Sequence, residues 1–226
     1  MTTSKRAQYV FDAINETVSR NQEQLQLLGE AKNHWEKWFQ VELATTLSRM
    51  EAKDIALEYS ECGFDSRKKN TPNRTEREYK TAQIDIVFRR KLESKGKLVG
   101  IELKQTRSVQ GIKSMLSDMV KINALKSSDW PFRELYFVLL CYEDDKERRK
   151  YGDLLTELTN HEQLTSSLFS FESVPQLQCL VVYWEPGNTI ENMSIESYKK
   201  WYAEIDALIK KYELTSIAKG KTKKNE

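Results

Sequence analysis

Apolar residues recur at helical spacing over residues 9–28, where Val10, Ile14, Val18, Leu25 and Leu28 form one stripe. Gly29 is predicted to break that helix. A stronger helical pattern covers residues 33–53. There Phe39, Leu43, Leu47 and Met50 share a face, with Trp35 and Trp38 beside it and Glu42 on its edge. Residues 55–60 read as a short strand. Residues 61–77 hold Gly63, Pro72 and many charges, the composition of an exposed loop. Strict alternation then begins. In residues 81–88, Ile84, Ile86 and Phe88 alternate with Gln83, Asp85 and Val87. After a turn at Lys95-Gly96-Lys97, residues 98–106 alternate Val99, Ile101 and Leu103 with Gly100, Glu102 and Lys104. The two strands are expected to pair as a hairpin.

Helical spacing returns over residues 108–126. Residues 133–142 form an almost unbroken apolar run, as in a strand covered on both faces. A charged helix over 145–160, a buried strand over 177–184 and a last helix over 195–212 complete the pattern. The expected fold class is α/β, one mixed central sheet flanked by helices. A single domain is expected over residues 1–217, followed by a basic, disordered tail at 218–226.

Composition narrows this picture. A chain of 226 residues can bury a core without disulfides or a structural metal. Charged residues are 31% of it, while Gly (8) and Pro (4) are few, which fits an ordered, helix-rich domain. The three cysteines form no CxxC pair and their number is odd, which points to a reducing compartment and a cytoplasmic location. The polar N-terminus does not resemble a signal peptide, and no apolar run reaches the length that spans a bilayer.

The net charge of +2 gives no global basic field. Positive charge is local: Arg67, Lys68, Lys69, Arg74 and Arg77 before the paired strands, and Arg89, Arg90, Lys91, Lys95 and Lys97 between them. Solubility accounts for either cluster alone. Two clusters flanking the same strands point towards a polyanion.

The chemistry rests on the same strands. Alternation sets Gln83 and Asp85 on one face of the first, and Glu102, Lys104 and Thr106 on one face of the second. A twisted hairpin can bring those faces together. Two carboxylates and an ammonium among apolar neighbours are costly to desolvate. A hard divalent cation bound by carboxylate oxygens would offset that cost. On the E-x-K triplet alone, an ion pair on a solvated sheet face is much the stronger reading, because the triplet occurs by chance in any charged protein. The strand–turn–strand setting favours the functional reading. His34 and His161 are isolated, which argues against a zinc site. No GxxxxGK[ST] loop occurs, and no Ser or Cys has a nearby histidine motif. Trp35, Trp38 and Phe39 could stack on bases, but at helical spacing they read as core.

IDIVF, GIELK and the helix carrying WFQVEL together resemble the PD-(D/E)XK nuclease superfamily, over roughly half the chain. The resemblance implies a restriction-endonuclease-like αβββαβ core over about residues 33–142, with an extra N-terminal helix and a C-terminal strand and helix. It implies a catalytic set of Asp85, Glu102, Lys104 and Glu42. It implies Mg2+ or Mn2+ held by Asp85, Glu102 and the Leu103 carbonyl, with Glu42 in support. Gln83, Gln105, Arg74, Arg77 and Lys121 become nucleic-acid contacts. Ile84 stands where the family often has proline. The implied function is metal-dependent hydrolysis of DNA, in restriction, defence or DNA processing, by a homodimer or with a further protein partner. Two alternatives stay open: an inactive nuclease-fold module that binds nucleic acid or a protein, and an unrelated α/β protein whose three charges do not converge.

Overall fold

The computed structural model describes residues 4–30, 35–59, 84–94, 97–107, 111–115, 118–119, 132–142, 148–160, 165–184, 200, 203–208 and 210–211. The first helical stretch is two helices, α1 (Lys5–Arg20) and α2 (Gln22–Glu30). Ser4 caps α1 by accepting from the Ala7 N–H at 3.1 Å. The break falls at Asn21, not at Gly29. Asn21 leaves helical geometry, and its side-chain amide donates to the Thr17 carbonyl at 2.8 Å. Gly29 stays inside α2 for another reason. A Cβ there would lie 2.0 Å from Tyr142 Cζ, so only glycine admits that ring.

Helix α3 (Glu36–Arg49) buries Phe39, Leu43 and Leu47 of the stripe read from the sequence, and Ala44 beside them, while Met50 is its C-cap. It packs on α1, where the buried Thr17 and Thr46 hydroxyls hydrogen-bond at 2.9 Å. Then follow β1 (Lys53–Tyr59), β2 (Ile84–Arg89), β3 (Leu98–Thr106) and β4 (Phe132–Tyr142). After these come α4 (Arg148–Thr159), β5 (Ser166–Phe171) and β6 (Val174–Trp184). Residues 111–115 and 118–119 are helical, as are 200, 203–208 and 210–211. The loop expected over 61–77 lies outside the described residues.

The strands form one six-stranded mixed sheet in the order β1-β2-β3-β4-β6-β5. All pairs are antiparallel except β3 with β4. The parallel pair explains the apolar run of β4, which is covered on both faces. One face carries Ile86, Val99, Ile101, Leu103, Tyr136 and Val138, packed with α1, α2 and α3. The other carries Val87, Phe137, Leu139, Leu180 and Val182, packed with Ile112, Met115, Met119 and the buried leucines of α4. A mixed sheet between two helical layers is the α/β fold expected from the sequence. Strand β5 was not expected; its SSLFSF is a half-buried edge without clean alternation.

Where β2 finishes and β4 begins, a buried ion pair ties the sheet together away from the carboxylates of interest. Arg90, just after β2, meets Glu134 of β4 through two hydrogen bonds of 2.6 and 2.5 Å. Tyr136 Oη donates to the same carboxylate at 2.9 Å, and Arg90 also reaches the Arg6 carbonyl at 3.0 Å. Among the described residues, no helix is long and apolar enough to cross a membrane.

Candidate active site

The site begins where the hairpin comes apart. Strands β2 and β3 pair at Phe88↔Val99, Val87↔Gly100 and Ile86↔Ile101, and the paired register ends there. The next pair would be Asp85 with Glu102. Beyond that point β2 stays with β1, through Tyr59↔Ile84, while β3 stays with β4 as far as Thr106↔Cys141. A gap therefore opens between β2 and β3 at the two carboxylates.

Alternate residues of a strand direct their backbone groups to the same side. Ile101, Leu103 and Gln105 thus present N–H and C=O towards β2. Past Ile101 they lack a strand partner there, and buried backbone groups must find one. Two carboxylates take that place. Asp85 Oδ2 accepts from the Leu103 N–H at 2.7 Å, and Glu36 Oε2 accepts from the Gln105 N–H at 2.9 Å. By the same alternation the Leu103 carbonyl faces the gap.

Asp85 and Glu102 are each only 9% exposed. Burial raises the Asp85 pKa above the usual carboxylate range. The Leu103 N–H and Lys37 oppose that rise, whereas Glu36 and Glu58 reinforce it. Glu102 is raised further, first by burial and then by the neighbouring Asp85 charge; Lys104 opposes this and Asp118 adds to it. Glu102 Oε2 is buried with no hydrogen-bond partner.

Lys104 lies on the same face of β3 as Glu102, with its Nζ 3.4 Å from Asp118 Oδ2. Burial works to lower its pKa, but Asp118, Glu102 and Glu36 outweigh burial and hold it above the ordinary lysine value. Glu102 thus lies beside both Asp85 and Lys104.

Glu42 is not with them. Helix α3 faces the gap through Glu36, Lys37 and Gln40. Lys37 Nζ lies 3.6 Å from Asp85 Oδ1 and bonds Glu58, while the Gln40 amide donates to the Asp85 carbonyl and to Glu58 Oε1. At about 100° per residue, Glu42 points about 200° away from Gln40. Glu36 is the helix carboxylate at the site. The choice of Glu42 followed the apolar stripe, and Glu36 sits at the start of the helix where that stripe gives no guide.

Gln105, expected to contact nucleic acid, instead clasps α3. Its Oε1 accepts from the Trp35 N–H at 3.2 Å, while its own N–H goes to Glu36. Gln83, Arg74, Arg77 and Lys121 lie outside the described residues. Sequence reading also missed Lys37, Gln40, Glu58 and Asp118. One signal was available for Asp118: it stands seven residues after Gly111, on the helical pattern that follows GIELK.

Five carboxylates (Asp85, Glu102, Glu36, Glu58 and Asp118) thus surround two ammonium groups (Lys37 and Lys104) among the described residues. Among the described residues, no group of three or more His, Cys, Asp or Glu side chains is placed to hold a metal by itself. The donor set is instead two carboxylates and a carbonyl, Asp85, Glu102 and Leu103. That suits a hard cation such as Mg2+, which is commonly held by one or two carboxylates and keeps several waters. The unpartnered Glu102 Oε2 fits the same requirement. No family model, curated protein or solved structure matches the chain.

Proposed function

We propose that the chain is a metal-dependent nuclease that hydrolyses DNA phosphodiesters with a PD-(D/E)XK-type site, acting in restriction, defence or DNA processing. The observation that carries this reading is the parting of β2 from β3 around two buried carboxylates, one with an unpartnered oxygen, beside a lysine on the same strand. A buried carboxylate oxygen without a partner is expensive and calls for an explanation, and a bound cation would supply one. The element order adds support. Helix α3, strands β1 to β3, the helical residues 111–115 and 118–119, and strand β4 follow one another in the order the resemblance implies.

In this reading Asp85 and Glu102 hold Mg2+ or Mn2+ together with the Leu103 carbonyl. When bound, the cation polarises the phosphate and lowers the pKa of its water. Asp85 is fixed by the Leu103 N–H, so one of its oxygens is oriented before any ligand arrives. Glu102 presents a buried Oε2 that has no hydrogen-bond partner. Lys104 keeps its proton at neutral pH, because three carboxylates hold its pKa up. Its ammonium therefore serves to stabilise negative charge on the phosphate oxygens and to orient the attacking water, rather than to abstract a proton. Glu36 and Gln105 hold α3 against β3, which keeps the gap open. A homodimer would place two such sites on opposite strands.

The test is incubation of plasmid, linear duplex, single-stranded DNA and RNA with Mg2+, Mn2+ or chelator, using the normal protein and Lys104→Ala in parallel. Metal-dependent cutting of DNA that the variant loses is the expected outcome, and discrete fragments would mark a sequence-specific enzyme. No cutting of any substrate with either metal would reject the proposal in favour of a binding module.

A further inference from the structure

We propose that Lys37 is a built-in competitor for the divalent cation: its ammonium lies against the Asp85 oxygen that a metal must use, and the cation binds by displacing it. The inference rests on the metal-binding reading of Asp85 and Glu102.

The two oxygens of Asp85 are not equivalent. Oδ2 is taken by the Leu103 N–H at 2.7 Å. Oδ1 faces Lys37 Nζ at 3.6 Å. Oδ1 is the Asp85 oxygen that carries no backbone donor, so it is the one a cation shared with the unpartnered Glu102 Oε2 would use. The ammonium and the metal are therefore both drawn to one atom, and their mutual repulsion rises as the metal approaches.

Lys37 is held at this post from outside. Its Nζ bonds Glu58 on β1, and Gln40 fixes Glu58 from the other side at 2.9 Å while donating to the Asp85 carbonyl. Glu58 itself has φ 52°, a left-handed backbone that a glutamate adopts only when its surroundings impose it. The Lys37 side chain is 66% exposed, so it can swing from Asp85 into solvent, still paired with Glu58, without leaving a buried hole. Lys37 thus lowers the cost of keeping Asp85 charged when metal is absent, and it weakens metal binding to the same extent. Lys104 is not placed to do this, because its ammonium is paired with Asp118.

The consequence has an unusual sign. Removing a lysine from this site tightens binding of the metal, whereas loss of a merely structural lysine would weaken it or leave it unchanged. At about 5 Å in a medium close to water, the repulsion between an ammonium and a dication is worth about tenfold in affinity.

The experiment is titration of full-length protein with Mn2+ alone, followed by the electron paramagnetic resonance of free Mn2+, for four proteins: unmutated, Lys37→Met, Lys37→Arg and Glu102→Gln. Lys37→Met should bind Mn2+ about tenfold more tightly than the unmutated chain. Lys37→Arg, which keeps the charge, should bind like the unmutated chain, and Glu102→Gln should bind far more weakly than any of them. Equal or weaker binding by Lys37→Met, with Glu102→Gln still defective, overturns the competitor role and leaves the metal site standing. Absence of Mn2+ binding in the unmutated protein, or binding that Glu102→Gln does not change, overturns the metal site and the competitor role together.

Discussion

Replacing Glu102 by glutamine should make the metal-free protein more stable while removing its activity. In the unmutated chain Glu102 is 9% exposed, its Oε2 has no partner, and the Asp85 carboxylate lies next to it. A buried polar group without a partner costs about 1–3 kcal/mol, and more when it is charged. A glutamine amide removes the charge, keeps an oxygen for the bond from Asp85, and can donate to the Asp85 carboxylate. The expected gain near pH 8 is therefore about 1–3 kcal/mol, or about 2–4 °C in Tm per kcal/mol for a chain of this size. The gain depends on pH in a definite direction. The folded protein holds a proton on Glu102 well above the ordinary value of 4.5, whereas the unfolded chain releases it near that value. As pH rises through that interval the folded state binds more protons than the unfolded state, so stability falls. The penalty is absent below the ordinary value and complete above the raised one. Urea unfolding of both proteins in chelator, at intervals from about pH 4.5 to about pH 8, should show curves that meet at the acidic end and separate towards the alkaline end. Excess Mg2+ should stabilise the unmutated chain and not the variant. A variant that is less stable than the parent at every pH, or one whose advantage is the same at every pH, would show that Glu102 is not a strained, proton-retaining carboxylate.

Other changes probe the surrounding framework. Asp118→Asn removes the largest of the interactions that raise the Lys104 pKa, so the alkaline limb of the cleavage pH profile should move to lower pH; an unmoved limb would mean that Lys104 does not set it. Glu134→Gln breaks a buried pair with Arg90 and should cost about 3–5 kcal/mol in urea unfolding, with cleavage per folded molecule unchanged because the pair is remote from the gap. Gly29→Ala places a methyl group 2.0 Å from Tyr142 Cζ and should cost about 1–3 kcal/mol, read as a lower Tm.

Legibility followed periodicity. Strands β2, β3 and β4 and the stripe of α3 were readable because alternation and helical spacing record which face is buried, and burial decides their pairing. Asp85, Glu102 and Lys104 could be read for the same reason, as polar residues at fixed positions in apolar strands. What lay outside that signal was missed. Asn21 ends α1 by a local side-chain bond in the middle of a continuous apolar stripe, so the stripe hid the break. β5 is a half-buried edge whose residues show no period. Glu36 and Glu42 are both acidic residues of one helix, and only the contact with the Gln105 N–H shows which of them faces the sheet. Lys37 and Glu58 meet Asp85 through a lateral approach of α3 and β1 that no strand period encodes. The parting of β2 from β3 is likewise a tertiary event: the sequence continues to alternate across it.

Plasmid cleavage in Mg2+ by a panel of single variants tests most directly whether the gap between β2 and β3 is the proposed seat of the chemistry. Asp85→Asn, Glu102→Gln and Lys104→Ala should each slow cutting by about 10²–10⁴-fold while remaining folded, and Glu42→Gln, on the far side of α3, should cut at the parent rate. Parent-rate cutting by any of the first three variants, or loss of cutting in Glu42→Gln alone, would contradict the account.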